Sequence, residues 1–249
     1  MPKKSSMGSK MLKKGESKEN LKDPVYLTFF AAFLFLSGTT LITLLAAISA
    51  NREDEAYLKN ALISETAVNI IASVTYYYFM VYLYADKLTL ENVTSIRYLD
   101  WAFTTPLLLI SFVLYTGYSS KNVEGVDFQP LIYIIALNLG MLLFGYWGET
   151  KKYEFYTCLA LGFACYAGLI YFLYDKYVKD EGDDTKTLFY IFAVIWGIYG
   201  ISYLLPTREK NISYNILDLI SKAGFGVFIW LSMVTENPNQ YVSTRNFTP

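Results

Sequence analysis

Six stretches of at least 20 residues contain no Asp, Glu, Lys or Arg: 24–50, 66–85, 101–120, 128–148, 155–174 and 187–207. A seventh, 211–235, is equally apolar apart from Asp218 and Lys222. The hydrocarbon core of a bilayer is ~30 Å thick and is crossed by ~20 apolar residues in a helix, because lipid offers no partner to an unbonded amide or carbonyl. Each stretch is therefore long enough to span. A helix of a soluble domain carries charge on its outward face, and these carry none, so an ordinary soluble fold is excluded. Seven spans take over half of the 249 residues and leave no room for a separate soluble catalytic domain. The expected fold is all-α, a seven-transmembrane-helix bundle in a multi-pass integral membrane protein.

Punctuation divides the chain further. The first helix (24–49) opens on Asp23-Pro24, a cap followed by proline in the first turn. The second (60–85) ends at Asp86-Lys87, and the third (95–116) at Thr116-Gly117. The fourth (129–148) and fifth (153–177) are separated only by Glu149–Lys152, so they are antiparallel neighbours. The sixth (187–205) follows a charged loop, and Pro206 precedes the seventh (212–235). Residues 1–23, with seven lysines and three acids, read as a disordered Lys-rich tail, and 237–249 as a short C-terminal tail. The first apolar run, at 27 residues, exceeds a signal-peptide core and is kept as a helix. With the N-terminus outside, the outer side would carry twelve basic residues and the inner side seven, so the positive-inside rule favours an inside N-terminus.

Composition removes several functions. Net charge is −1 with no basic tract beyond the tail, which leaves nucleic-acid binding unsupported. The chain has no histidine, so imidazole catalysis and His-ligated metals are excluded. Cys158 and Cys165, seven residues apart on one helix, lie ~10 Å apart along its axis, too far to bridge, and read as packing residues.

Four ionisable residues lie well inside the spans: Arg97, Asp100, Asp218 and Lys222. Each costs at least ~2.5–3.5 kcal/mol near the bilayer centre, which makes it a functional candidate by default. Their charges sum to zero, as a mutually paired buried cluster requires. Asp218 and Lys222 are i,i+4 on one face; Arg97 and Asp100 are i,i+3, with Thr104 one turn further. Two readings remain open. The lysine belongs to a structural ion pair, or its amine is covalently modified, since buried lysines form Schiff bases with carbonyl compounds and a protonated Schiff base needs the same counterions. Tyr76, Trp101, Trp196, Tyr199 and Tyr203 fall at helical spacing. Such stripes are usually core packing, and around a lone buried lysine they also make a slot for a long conjugated aldehyde.

Here the residues resemble a known family. The run Arg97-Tyr98-Leu99-Asp100-Trp101-Ala102-Phe103-Thr104-Thr105-Pro106-Leu107-Leu108-Leu109 resembles the third helix of microbial (type 1) rhodopsins of the bacteriorhodopsin and proteorhodopsin kind. Asp218-Leu219-Ile220-Ser221-Lys222-Ala223-Gly224-Phe225-Gly226 resembles their seventh helix, and Phe144-Gly145-Tyr146-Trp147-Gly148-Glu149 is similar to the end of the proteorhodopsin fourth helix. The resemblance implies that residues 24–236 form a retinal-binding membrane domain, with all-trans retinal held covalently on Lys222 as a protonated Schiff base. It implies Asp100 as primary counterion and proton acceptor, Asp218 as second counterion and Arg97 as partner on the release side. It further implies a hydrogen bond from Thr104 to Asp100 and one between Tyr76 and Asp218. Trp101, Thr105, Leu108, Met141, Gly145, Trp196, Tyr199 and Tyr203 would line the chromophore. The implied partners are membrane lipid, protons and further copies of the chain in a homo-oligomer, with no nucleic acid.

Three positions depart from the family pattern. Thr75 stands where proteorhodopsins carry a histidine, Gly200 where a proline is usual in the sixth helix, and Ser111 where a carboxylate returns the proton. Asp100, Thr104 and Ser111 give the signature Asp-Thr-Ser, which with intact Asp218 is most similar to rhodopsins of giant viruses of marine protists. A viral origin would put the chain in a host plasma or internal membrane. The resulting reading is a light-driven outward proton pump, an ion transporter rather than an enzyme. A sensory photoreceptor signalling through a partner protein is the alternative, although such sensors typically replace the second carboxylate with proline. A light-gated channel is third; it is expected to bring extra glutamates along the second helix, and 66–85 has none. Glu65 lies eleven residues from Tyr76, as Ser111 does from Asp100, so both stand ~16 Å from counterion level toward the same side. Glu65 is thus a candidate proton donor in place of Ser111, or simply an interfacial glutamate.

Overall fold

The computed structural model describes residues 23–50, 56–120 and 126–236. Both expected tails lie outside the described residues, apart from Asp23, as does the loop 51–55. Seven helices follow in chain order: α1 (Pro24–Ser49), α2 (Ala56–Tyr84), α3 (Leu90–Ser119), α4 (Gln129–Glu149), α5 (Phe155–Tyr177), α6 (Asp183–Ser202) and α7. The last is built in three pieces, Thr207–Asp218, a π-helical turn Leu219–Gly224, and Phe225–Glu236. All seven are long and apolar enough to cross a membrane.

Several helices begin earlier than the charge-free runs suggest. α3 starts at Leu90 rather than 95, α6 at Asp183 rather than 187, and α7 at Thr207 rather than 212. The added first turns hold Glu91, Asp183, Asp184 and Glu209. Acidic side chains at a helix N-terminus face its unpaired N–H groups and the positive end of its dipole, so these charges extend the helices instead of ending them. Side-chain caps reinforce the starts. The Asp23 carboxylate accepts from the Val25 N–H (3.0 Å), Thr89 and Asn92 form a capping box, and Glu154 accepts from the N–H groups of Tyr156 (3.0 Å) and Thr157 (2.5 Å).

α2 and α4 close with the same geometry. Asp86 and Lys151 adopt left-handed φ values of 54° and 55°. The next N–H, of Lys87 or Lys152, bonds back to the carbonyl of Tyr82 or Trp147 at 2.9 Å. This 6→1 closure satisfies carbonyls that the helix end would otherwise leave bare, and reverses the chain into a tight connection.

α3 is the spine of the bundle, the most deeply buried of the seven helices, and α5 is the least buried. The large apolar side chains on the periphery, such as Phe35 and Tyr171, are exposed and belong to the lipid-facing surface. Pro106 sits within α3 without ending it. It lacks an N–H, so the Ala102 carbonyl four residues back has no helical donor from it, while one residue earlier the Thr105 hydroxyl donates to the Trp101 carbonyl at 2.7 Å. The buried charges therefore converge from α3 and α7 at mid-depth, between two apolar clusters. One, with Phe29, Ala72, Tyr76 and Phe79, joins α1, α2 and α7; the other, with Leu108, Phe112, Phe192 and Trp196, joins α3 and α6.

Candidate functional site

Lys222 occupies the π turn of α7 and is 1 % exposed. A π turn inserts an extra residue into the helical ladder and is common at functional sites. The Lys222 Nζ lies 2.5 Å from Asp100 Oδ2 and 3.6 Å from Asp218 Oδ1. Arg97 completes the cluster, with Nη1 3.1 Å from Asp218 Oδ2. All four charged residues are 4 % exposed or less, so they are neutralised by one another and not by solvent.

The two carboxylates have different surroundings. Asp218 Oδ2 accepts from Tyr76 Oη (2.8 Å) and Arg97, while Oδ1 accepts from Tyr199 Oη (2.7 Å) and Trp101 Nε1 (3.2 Å). Because Tyr199 spends its only proton on Asp218, the Ser221 hydroxyl at 2.9 Å must donate to Tyr199. Asp100 receives a side-chain hydrogen bond from Lys222 through Oδ2, while its Oδ1 has no partner among the described residues. Thr104 bonds to Asp100 through the main-chain carbonyl (3.0 Å) and not through the carboxylate.

Arg97 is fixed on the other flank. Its Nη1 donates to Tyr76 Oη (2.7 Å) and its Nη2 to Asn215 Oδ1 (2.7 Å). The guanidinium lies 5.3–5.8 Å from the ring centroids of Phe29, Tyr76, Phe79 and Tyr214. Asn215 in turn donates to Thr28 (2.9 Å), so α1, α2, α3 and α7 meet at this point. Asn215 was missed by reading charges alone. Its signal was available, since Asn211, Asn215, Asp218 and Lys222 follow one another at i+4, i+3 and i+4 on one face of α7.

Lys222 opens into a cavity walled mainly by apolar and aromatic side chains. Trp101, Thr105 and Leu108 of α3, Met141 and Gly145 of α4, and Trp196, Tyr199 and Tyr203 of α6 and the turn after it all line it. Tyr76 stands apart from the wall, on the Arg97 side. Tyr98 passes against Gly145, where an added Cβ would lie 2.8 Å from the Tyr98 ring, so only glycine leaves the ring its place. Trp101 is held edge-on by Tyr199 and Tyr214 at centroid distances of 5.3 and 4.9 Å.

The wall contributed by α5, with Cys158, Leu159, Gly162, Phe163 and Tyr166, was not foreseen. That helix carries no charge within the membrane and no recognisable motif, and its inward face is defined only by packing. Cys158 and Cys165 are both free thiols, and Cys158 forms part of the cavity wall. Of the remaining residues singled out earlier, Ser111 and Glu65 lie together on the opposite side of Lys222 from Arg97. Both are fully buried, and the Ser111 hydroxyl donates to the Ala61 carbonyl at 3.3 Å. Asn211, part of a glycosylation-like triplet, is also fully buried and bonded to Thr94, Leu90 and Thr207, so no glycan fits there.

A family model described as bacteriorhodopsin-like protein matches residues 27–236. The chain belongs to that family: it is a microbial rhodopsin, of a class of light-driven ion pumps and sensors and not of enzymes. It is 28 % identical over 194 residues to the green-light absorbing proteorhodopsin of gamma-proteobacterium EBAC31A08, covering 70 % of this chain and 76 % of that one. It is 29 % identical over 156 residues to sensory rhodopsin-2 of Haloarcula vallismortis, covering 56 % and 63 %. Among solved structures, viral rhodopsin OLPVRII superposes with a TM-score of 0.80 at 29 % identity, covering 86 % of this chain and 99 % of that one. The blue light-absorbing proteorhodopsin from Med12 superposes with a TM-score of 0.70 at 26 % identity, covering 87 % and 100 %. Membership implies a retinal chromophore. The cavity suits one: its walls are apolar rings, and at its polar end a buried lysine faces two carboxylates and the unpartnered Asp100 Oδ1.

Proposed function

We propose that the chain is a light-driven outward proton pump in which Lys222 Nζ holds all-trans retinal covalently. When bound, retinal supplies absorption of visible light and a photochemical change of shape at its attachment point. The remaining work falls to the chain's own residues.

The observation that carries this reading is the asymmetry between the two carboxylates. Asp218 is held by four side-chain hydrogen bonds, from Tyr76, Arg97, Tyr199 and Trp101, and so serves as a fixed negative charge. Among the described residues Asp100 is bound by the Lys222 side chain alone, at 2.5 Å, and has one oxygen unpartnered. It is the carboxylate placed to take the proton from Nζ, over hydrogen-bond distance. Once Asp100 is neutral, Arg97 remains compensated by Asp218, and the hydrogen bonds around Asp218 persist. Return of a proton to Nζ from the opposite side makes the transfer vectorial. Glu65 is the donor in this reading, because Ser111 carries no acid and Glu65 is buried beside it. Retention of Asp218 favours a pump over the sensory reading that the likeness to sensory rhodopsin-2 suggests.

Illumination of cells expressing the chain with added retinal is expected to acidify the medium, with the change abolished by a protonophore. Lys222→Ala should lose the visible absorption band and the pH change together. Asp100→Asn should keep a band and lose transport. A wild-type protein that absorbs light and moves no protons would overturn the pump and leave the sensor.

A further inference from the structure

On the side of Lys222 away from Arg97, α2 carries a row of buried polar groups that the counterion cluster does not use. Neither carboxyl oxygen of Glu65 has a hydrogen-bond partner among the described residues. Asn69, also fully buried, donates its Nδ2 to the Glu65 main-chain carbonyl (2.8 Å), which leaves Oδ1 unpartnered. The Ser73 Oγ is buried and unpartnered as well. These residues are spaced by four, so each step climbs ~6 Å along the helix and turns only ~40° around it. Consecutive unpartnered polar atoms on one face point to ordered water between them.

Two contacts fix the height of this row against α7. Tyr76 bonds to Asp218, and Asn69 faces Gly226, where an added Cβ would lie 3.3 Å from Asn69 Nδ2. The helices are antiparallel, so Lys222, midway between Asp218 and Gly226, is level with Ala72 and Ser73. Glu65 then stands two turns, ~12 Å, beyond Lys222 toward the opposite face of the membrane. α1 closes the third side: the same added Cβ would lie 3.0 Å from Thr39 Cγ2 and 3.2 Å from Thr43 Cγ2. Glycine at 226 lets α7 approach α1 and α2 closely at the height of Asn69.

α3 offers no equivalent. The Ser111 hydroxyl, beside Glu65, donates to the Ala61 carbonyl (3.3 Å), but between it and Asp100 stand the buried apolar wall of Leu108 and Thr104, whose hydroxyl donates to the Asp100 carbonyl. We infer that Asn69 and Ser73, with Gly226 opposite, position the water through which Glu65 returns a proton to Lys222 Nζ, so that reprotonation follows α2 and α7 and not α3. This rests on the pump reading with Glu65 as donor. In the step the Glu65 O–H bond breaks, the proton passes along the hydrogen-bonded file, and an N–H bond forms at Nζ. The Glu65 carboxylate then recovers a proton from solution on its own side. Asn69 and Ser73 are positioning residues and exchange no bond themselves.

The test combines light-triggered kinetics with infrared spectroscopy of the unilluminated full-length protein in lipid. Asn69→Leu and Ser73→Ala are each expected to slow reprotonation by about tenfold, and Asn69→Ser and Ser73→Thr, which keep an oxygen at the same height, to restore most of the rate. In the dark, the carbonyl band lost in Glu65→Gln should move to higher frequency in Asn69→Leu as the carboxyl loses hydrogen-bonded water, and its exchange with deuterium should slow. A merely structural role for Asn69 would leave that band in place. If Glu65→Gln slows reprotonation while Asn69→Leu and Ser73→Ala change neither rate nor band, the file is overturned and the donor reading stands. If Glu65→Gln reprotonates at the wild-type rate, or removes no carbonyl band in the dark, Glu65 is not the donor and the route falls with it.

Discussion

Asp100 and Asp218 are the same side chain in the same buried cluster, and what separates them is the number of donors each receives. In the proposed pump side-chain hydrogen bonds divide the roles of the two, and they depend on Tyr76, Trp101 and Tyr199 arriving from three other positions in the fold. A second buried pair sits apart from this cluster. Lys210 Nζ lies 2.5 Å from Glu149 Oε1 and over the Tyr203 ring, with the two side chains 8 % and 12 % exposed. Truncating one member leaves the other charge desolvated. Lys210→Met is expected to cost about 3 kcal/mol in a denaturation assay in lipid, and the double variant Lys210→Met with Glu149→Leu to recover most of it. Losses that simply add, the double variant falling by the sum of Lys210→Met and Glu149→Leu alone, would show that the two side chains are not coupled.

The helices owe their ends to side chains and their contacts to small residues. Two caps titrate. The Asp23 carboxyl is held below its usual range by the Val25 N–H first and Arg208 second, and that of Glu154 by the Thr157 N–H. A group with a lowered pKa in the folded state stabilises it above the unfolded value, about 4 for both, and that contribution fades as pH falls through the folded pKa. Thermal stability should therefore drop on acidification below pH ~4, and the drop should flatten when Asp23→Asn and Glu154→Gln are combined. α6 runs unbroken from Asp183 to Ser202, with Gly200 where the family usually has proline. The Phe163 ring fills the space above that glycine: an added Cβ would lie 2.6 Å from Phe163 Cζ. Gly200→Ala is expected to cost about 1 kcal/mol by overpacking, and Phe163→Leu in the same chain to relieve it.

The bundle as a unit packs α3 chiefly against α2, α4 and α7 and faces lipid with the apolar side chains that remain. In the proposed pump its orientation relative to the membrane sets the direction of transport. The basic residues favour an inside N-terminus by count, whereas outward pumping, with release past Arg97, needs the N-terminus outside. A tag at the N-terminus is therefore expected to be reached by a membrane-impermeant reagent on intact cells, in the same cells that acidify their medium. A protected tag would predict alkalinisation instead.

Charge-free runs determined the membrane bundle and the number of helices, because in lipid the backbone must satisfy itself and the length of an apolar run is the span. The charges that interrupt α3 and α7 marked the site, because a buried charge is costly enough to be conspicuous in a single sequence. Helix starts were misplaced by a few residues where acidic first turns looked like loops, as at Glu91 and Asp183. The rest was decided by tertiary structure. No spacing in α5 reveals that Gly162 and Phe163 wall the cavity, and nothing local to Asp218 shows that tyrosines from α2 and α6 bind it. Nor does the sequence show the π turn at Lys222 or the facing of Asn69 and Gly226. Neutral side chains cost little to place either way, so only the packing of one helix against another selects which of them meet.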